Sequence, residues 1–231
     1  MQLPPLIQGT LLQRRQRFLA DVRLASGRQV TAHCPNTGSM LGCNEPGSPV
    51  FLSVHDNPKR KLPFTWELIE LKTSLVGINT MNTNRIVREA LQSRGIERYT
   101  GYDTIKSEVK INASSRLDFL LLGPQAPPCY MEVKNCTLVR SKVAGFPDAV
   151  SRRGKKHLQE LIELRRAGNL AAVFFLVQRT DAASFQPAGD IDADYAGWLK
   201  KAQDQGVEMV CYDVRFDLPR VSINQPLPVQ L

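Results

Sequence analysis

Residues 1–81 contain short runs in which apolar and polar side chains alternate, and turn-forming residues separate the runs. Alternation places one side of a strand against a core and the other toward solvent. Pairs such as Ser26-Gly27 and Pro35-Asn36 are typical of the intervening turns. Short strands at this spacing, with almost no helical period, predict a small closed barrel of the OB-like type. Six strands are predicted, at residues 6–12, 18–24, 29–33, 49–53, 65–71 and 75–79.

From Thr83 the apolar residues recur at helical spacing, and Arg94-Gly95 ends that run. The pattern beyond it predicts the order helix, three strands, helix, strand, helix, strand. The strand at residues 171–177 is wholly apolar, which indicates burial on both faces. We therefore predict an N-terminal all-β OB-like barrel at residues 1–81 and a C-terminal α/β domain with a mixed sheet at residues 82–231.

The composition favours a polyanionic partner. Lysine and arginine number 30 against 22 acidic residues, a net charge of +8. Residues 134–156 carry seven basic residues against the single acid Asp148: Lys134, Arg140, Lys142, Arg152, Arg153, Lys155 and Lys156. The other interpretation of this cluster is an ordinary solvated helix face.

No apolar run is long enough to cross a bilayer, and the first twenty residues lack the apolar segment of an export signal. The five cysteines are odd in number and irregularly spaced, which indicates reduced thiols. We expect a cytoplasmic protein with no membrane partner. Whether it forms a homodimer stays open.

Two acids and a lysine stand on adjacent predicted strands. Side chains alternate between the two faces of a strand, so Glu132 and Lys134 share one face and Met131 and Val133 point to the other. Asp118 lies in the middle of the preceding predicted strand. If the strands pair, the two carboxylates approach within a few ångströms and repel unless a cation lies between them. Magnesium or manganese, which prefer oxygen ligands and retain waters, would meet that need. Lys134 could then orient the attacking water or stabilise charge on a phosphate.

The alternative is that these acids only pair with nearby cations on an exposed sheet. The context favours a site, because an Asp, a thirteen-residue spacer and Glu-x-Lys, followed by a basic helix and an apolar strand, match the PD-(D/E)xK nuclease core. Glu89 in the opening helix stands where many such nucleases carry another acid, with helix surface as the alternative. Glu108 and Lys110 form a second Glu-x-Lys, but no Asp-bearing strand precedes it.

Cations near aromatic rings suggest nucleic-acid contacts on the barrel and on the basic helix. The candidate DNA-binding residues are Arg14, Arg15, Arg17, Lys59, Arg60, Lys61, Arg152, Arg153, Lys155 and Lys156. The aromatic residues Phe18 and Trp66 could equally belong to the core. A zinc site at His33, Cys34, Cys43 and His55 is not indicated, because their spacing matches no usual ligand pattern.

Several long strings resemble the sugar fermentation stimulation protein A family over nearly the whole chain. They are HCPNTG at residues 33–38, TWEL at 65–68, KSEVK at 106–110, DF at 118–119, EVK at 132–134, FPDAV at 146–150 and RGKKHL at 153–158. The resemblance implies an OB-like barrel followed by a PD-(D/E)xK-like domain, DNA binding with little sequence preference, and a regulatory role in bacterial sugar (maltose) metabolism. Leu117 stands where the motif's name has proline.

The leading hypothesis is a DNA-binding protein with a magnesium-dependent phosphodiesterase site. Asp118 and Glu132 would hold the metal, and Lys134 would assist cleavage of single- or double-stranded DNA. One alternative is a regulator that binds DNA without cutting it. Another is RNA binding or processing, for which the same basic and aromatic residues would serve.

Overall fold

In the computed structural model, which describes residues 1–231, the N-terminal part is a closed barrel. The strands run in the order β3-β2-β1-β4-β5-β6, and a parallel pairing of β3 with β5 closes the first five into a ring. The predicted OB-like barrel is confirmed. The strands are β1 (Leu6–Arg15), β2 (Leu19–Leu24), β3 (Gln29–His33), β4 (Pro49–Val54), β5 (Phe64–Glu70) and β6 (Leu75–Gly77).

The barrel interior decides between the two interpretations of its aromatic residues. Trp66 is fully buried, and its indole N–H donates to the carbonyl of Leu68 at 2.9 Å. Phe18 lies in the turn between β1 and β2 and is 49% exposed. Trp66 is therefore part of the core, while Phe18 remains accessible to a partner.

The second part is built on a six-stranded sheet of order β15-β14-β12-β9-β8-β7. Strands β9, β12 and β14 are parallel neighbours and the other pairings are antiparallel, so the predicted mixed sheet is confirmed. The elements are α1 (Met81–Gln92), a 3₁₀ turn (Glu97–Tyr99), β7 (Thr104–Asn112), β8 (Ser115–Gly123), β9 (Ala126–Cys136), β10 (Leu138–Arg140), β11 (Val143–Phe146), α2 (Arg152–Arg166), β12 (Leu170–Val177), β13 (Ser184–Pro187), α3 (Ala193–Asp204), β14 (Glu208–Asp217) and β15 (Arg220–Pro226).

Four strands were not predicted from the sequence. Strands β10, β11 and β13 have three or four residues each and form a small separate sheet, too short to show a period. Strand β15 is largely polar, and it lies at the sheet edge, where it pairs with β14 and forms a bridge with Gln2. Their pairing depends on neighbours that are distant in sequence, which a local pattern does not report.

Helices cover both faces of the large sheet. Along β12, Phe174 packs in the cluster that contains Ile86 of α1, whereas Phe175 packs with Leu158 of α2. Every residue from Ala171 to Val177 is buried, as the uninterrupted apolar run predicted. None of the helices has both the length and the apolar character needed to span a membrane.

The barrel and the second domain are joined by direct hydrogen bonds. Gly77 at the end of β6 donates its N–H to the carbonyl of Gln178 at 2.9 Å. A Cβ at residue 77 would lie 2.2 Å from Oε1 of Gln178, so only glycine allows this approach. Ser74 and Thr180 add a side-chain contact at 3.2 Å beside it. The barrel is thus held at a defined position against the sheet.

Candidate active site

The two acids of the predicted site stand where strands β8 and β9 separate. The antiparallel ladder between these strands ends at the pair Phe119 and Met131, and the next residues are Asp118 and Glu132. Beyond that point, Oδ2 of Asp118 accepts the N–H of Val133 at 2.7 Å. A side-chain carboxylate therefore replaces a ladder bond at this position, and the sheet opens beside the two acids.

Asp118 lies in an environment that disfavours its charge. Burial first, and then the negative charge of Glu132, raise the pKa of Asp118 to about 6. The opposing influences are weaker: the N–H of Val133, the amide of Asn84 and the charge of Lys134. Asn84 of α1 donates to Oδ1 at 2.7 Å. Asp118 therefore holds a proton more strongly than an ordinary aspartate does.

Glu132 is more buried still, with 6% of its side chain exposed. Its Oε1 accepts from Nζ of Lys134 at 2.7 Å and contacts Nδ1 of His157. Burial alone would raise the pKa of Glu132, but the charge of Lys134 and the hydrogen bond from His157 outweigh it and the pKa is lowered. Glu132 and Lys134 share one face of β9, as the period of two predicted, and Met131 and Val133 pack on the other.

His157 belongs to the buried face of α2 together with Gly154, Leu158 and Leu161. Nε of Arg153 donates to its Nε2 at 3.4 Å, which leaves Nδ1 to carry the proton toward Glu132. The sequence analysis missed His157 and Asn84. A signal existed for the histidine, since it is the one titratable side chain within the apolar stripe of this helix.

The carboxylates retain acceptor capacity. Both contacts of Glu132 go to Oε1, and each oxygen of Asp118 accepts one hydrogen bond. Each carboxylate oxygen has two lone pairs. No group of three His, Cys, Asp or Glu side chains gathers here or elsewhere. Two carboxylates match the way proteins hold Mg²⁺ or Mn²⁺, which keep several waters and complete their shell with a substrate phosphate.

Comparison with known proteins decides the family. The family model described as "Sugar fermentation stimulation protein RE domain" matches residues 81–220, and the model described as "SfsA N-terminal OB domain" matches residues 12–78. The sugar fermentation stimulation protein homologue of Pelobacter propionicus is 50% identical, with all of both chains covered. The chain belongs to the sugar fermentation stimulation protein family. The homologue of Geobacter sulfurreducens is 49% identical over 99% of this chain and 98% of its own.

The fold is that of an archaeal family member. The structure of Pyrococcus furiosus SfsA in complex with Ca²⁺ aligns with a TM-score of 0.91 at 26% identity and covers 100% of this chain and 98% of that one. The resemblance to the family seen in the sequence is confirmed, together with the architecture of an OB-like barrel followed by an α/β domain with a mixed sheet.

One predicted site residue lies elsewhere in this family member. The carboxylate of Glu89 accepts from the amino group of Met1 at 2.8 Å and from Arg220 at 3.1 Å. Glu89 and Asn84 are five residues apart on α1, so they point about 140° from each other. The structure therefore does not bring Glu89 to the other predicted site residues, and Asn84 is the residue through which α1 reaches Asp118.

The predicted DNA-binding cations of the barrel differ in whether their side chains already have hydrogen-bond or ion-pair partners within the chain. Arg14 donates to the backbone carbonyls of Arg17 and of residues 36, 38 and 39, so its guanidinium supports the loop, and its contact with DNA stays a prediction. Arg15 pairs with Asp21 at 2.8 Å. Arg60 donates to the hydroxyl of Thr65 at 3.0 Å. Arg17, Lys59 and Lys61 are exposed, and their side chains form no ion pair within the chain.

The basic helix faces a cleft of about 550 Å³ between α2 and the β7–β8 hairpin. The cleft reaches His157 and therefore adjoins Glu132. Of the predicted set, Arg153 and Lys156 line it, while Lys155 pairs with Asp194 at 2.7 Å and Arg152 is exposed nearby. The hairpin adds two cations that were not predicted to bind DNA. The four cations of this basic cleft are Lys110, Arg116, Arg153 and Lys156.

Proposed function

We propose that this protein is a divalent-metal-dependent nuclease that cleaves phosphodiester bonds of DNA. The observation that carries the proposal is the meeting of Asp118, Glu132 and Lys134 at the point where β8 and β9 separate. The raised pKa of Asp118 and the lowered pKa of Glu132 support the proposal, because perturbed pKa values of neighbouring carboxylates are common at functional sites. Two buried carboxylates without a ligand would be costly to keep for stability alone.

The chain's own residues have distinct tasks. Asp118 and Glu132 would hold Mg²⁺ or Mn²⁺, which supplies Lewis-acid polarisation of the phosphate and a more acidic bound water when present. Asn84 and the N–H of Val133 orient the carboxylate of Asp118. His157 fixes Glu132 from the helix side. Lys134, whose ammonium contacts Glu132, can shift to a phosphate oxygen or to the attacking water, where a positive charge stabilises the developing negative charge.

The basic cleft would hold the sugar-phosphate backbone leading to this site. Arginine and lysine bind phosphates without reading sequence, which fits binding of DNA with little sequence preference. The cleft opens beside His157, so phosphates held there would lie close to the acids. The predicted link to sugar metabolism and the cytoplasmic location stay predictions.

A second function is supported by one observation. Lys134 and His157 already satisfy Oε1 of Glu132 within the chain, which is compatible with a site that binds DNA and never loads a metal. Such a protein would bind DNA with strong salt dependence and without turnover.

Purified protein incubated with plasmid and linear DNA, with and without Mn²⁺ or Mg²⁺, separates the two functions. We expect cleavage by the wild type with the ion and none with EDTA. Asp118→Ala should lose cleavage while its DNA affinity, measured in EDTA, stays within about twofold, since that residue contacts no phosphate before the metal binds. Equal cleavage by Asp118→Ala would remove the nuclease function and leave DNA binding alone.

A further inference from the structure

A second cleft opens on the other side of the candidate site, between the barrel and the nuclease-like domain. Its volume is about 230 Å³. One wall is the barrel loop of residues 36–38, and the other contains Lys134, Phe146 and Asp148. Because Nζ of Lys134 contacts Glu132, this interdomain cleft begins at the catalytic group that the basic cleft approaches from His157.

The barrel loop is fixed from within the barrel. One guanidinium, that of Arg14, donates to the carbonyls of Asn36 at 2.8 Å, Gly38 at 2.9 Å and Ser39 at 3.3 Å. The side chain of Asn36, itself 4% exposed, accepts the N–H of Gly38 at 3.0 Å. The loop therefore has a defined shape although it lies outside any strand.

The same loop is attached to the opposite wall. Oδ2 of Asp148 accepts the N–H of Met40 at 2.9 Å, and the hydroxyl of Ser39 donates to the carbonyl of Asp148. A Cβ at residue 38 would lie 2.5 Å from Oδ2 of Asp148, so a larger residue than glycine would require the Asp148 side chain to shift. The two walls of the interdomain cleft are thus held at a set spacing, which is the preorganisation expected of a binding site.

The lining of the interdomain cleft differs in chemistry from the basic cleft. Its lining contains three threonines and two asparagines besides one lysine and one acid: Thr37, Thr80, Thr137, Asn36, Asn135, Lys134 and Asp148. The hydroxyl of Thr80 already donates to the carbonyl of Pro35. Neutral hydrogen-bonding groups suit the edge of a nucleobase, whereas clustered cations suit phosphates. The volume lies below the roughly 300 to 1,000 Å³ of pockets for larger small molecules, and a duplex cannot enter it.

We propose that the interdomain cleft receives one unpaired nucleotide of the DNA strand, next to the phosphodiester held at Glu132 and Lys134, and that Thr37 contacts its base. The barrel then supplies part of the substrate site, and the preferred substrate is single-stranded DNA or a duplex with an unpaired nucleotide. This inference rests on the proposed function for the location of the reacting phosphate, but binding to the cleft requires no cleavage.

The test uses Thr37, which is exposed in a loop and can be changed without disturbing the core. Thr37→Leu fills the cleft and removes a hydroxyl, and Thr37→Ser keeps the hydroxyl. Thr10→Leu, at an exposed threonine on β1, is the matched control. Fluorescence anisotropy with a short labelled single strand and the corresponding duplex, both in EDTA, gives affinities in the absence of cleavage.

We expect Thr37→Leu to weaken single-strand binding by about tenfold, since loss of one base contact is commonly worth that much. Its duplex affinity should not change, and Thr37→Ser and Thr10→Leu should match the wild type for both probes. If Thr37→Leu binds the single strand as tightly as Thr10→Leu does, or loses affinity for both probes by the same factor, the cleft holds no base. Cleavage with Mn²⁺ is scored separately, so failure of the nuclease function and failure of this inference give different results.

Discussion

The same tripeptide pattern occurs on two strands of the large sheet and has a different fate on each. Glu132 and Lys134 lie on β9 in the middle of the sheet, 6% and 12% exposed. Glu108 and Lys110 lie on β7 at the sheet edge, where both are exposed. Glu132 and Lys134 share a hydrogen bond, and Glu132 also contacts His157. Glu108 and Lys110 are exposed to solvent and line the basic cleft. The Glu-x-Lys motif alone therefore does not distinguish the proposed site; burial by the surrounding strands does.

The largest effect should come from neutralising the two glutamates in turn. Glu132→Gln removes a metal ligand and should reduce DNA cleavage with Mn²⁺ by at least about a thousandfold. Glu108→Gln removes one negative charge from the basic cleft and should leave the cleavage rate within about threefold while slightly tightening DNA binding. Rates from a labelled linear substrate are the measurement. Comparable losses in both variants would break the distinction between the central and edge motifs.

The next largest effects should distinguish Lys134, which we expect to affect the cleavage rate, from Lys110, which we expect to affect DNA affinity. Lys134→Ala should lower the cleavage rate at saturating DNA by about a hundredfold or more, because it removes a charge that acts on the reacting phosphate. Lys110→Ala should leave that rate nearly unchanged and weaken DNA affinity a few-fold, with a smaller salt dependence of binding. Single-turnover rates and anisotropy at several salt concentrations give the two quantities. A rate defect in Lys110→Ala at saturation would contradict this assignment.

The sequence could predict a site residue when its position follows from the pattern of one strand, but not when it follows from the packing of a distant helix. Glu132 and Lys134 follow from the period of a single strand, and β12 follows from its continuous apolar run, so both were predicted. The contacts of Asn84 and His157 depend on where helices α1 and α2 cross the sheet, and the position of Glu89 away from Asp118 has the same cause. Helix orientation arises from contacts between residues far apart in the chain, which a local period does not contain.

The interdomain cleft was equally out of reach of sequence reasoning. Arg14 looked like a surface cation among others, yet its guanidinium holds the loop that faces Lys134. The HCPNTG and FPDAV strings were recognised as family features, but their meeting at Met40 and Asp148 is a property of the folded chain. Strings separated by more than a hundred residues gave no signal that they were neighbours.

A smaller expected effect is the increase in Tm when a divalent ion binds in the absence of DNA cleavage. Mn²⁺ at about a hundred times its Kd should raise the Tm of the wild type by about 5 to 10 °C, because an ion bound only to the folded state stabilises it. Glu108→Gln should show the same increase, and Glu132→Gln should show little or none. Differential scanning fluorimetry with Ca²⁺ as a parallel, non-catalytic probe provides the measurement. An increase of similar size in Glu132→Gln would place the ion outside the central motif.

The smallest effect is a pH dependence of stability that the central site has and the edge motif lacks. The pKa of Asp118 is raised from 3.8 to about 6 in the folded chain, so the folded state binds this proton more tightly than the unfolded state does. Without divalent ions, protonation of Asp118 should therefore add stability as pH falls through about 6. The gain between pH 7 and pH 5 is about 1 kcal/mol. Glu132, whose pKa is lowered, stays ionised over this range.

The contribution of Asp118 is isolated by difference, since other groups also titrate. Urea unfolding of the wild type and of Asp118→Asn at pH 7 and pH 5 gives four free energies of unfolding. The stability of the wild type relative to Asp118→Asn should increase by about 1 kcal/mol on acidification, and Mn²⁺ should suppress this increase by keeping the carboxylate ionised. Glu108→Gln should follow the wild type throughout. A difference between wild type and Asp118→Asn that does not change with pH would mean that burial and the charge of Glu132 do not raise the pKa of Asp118.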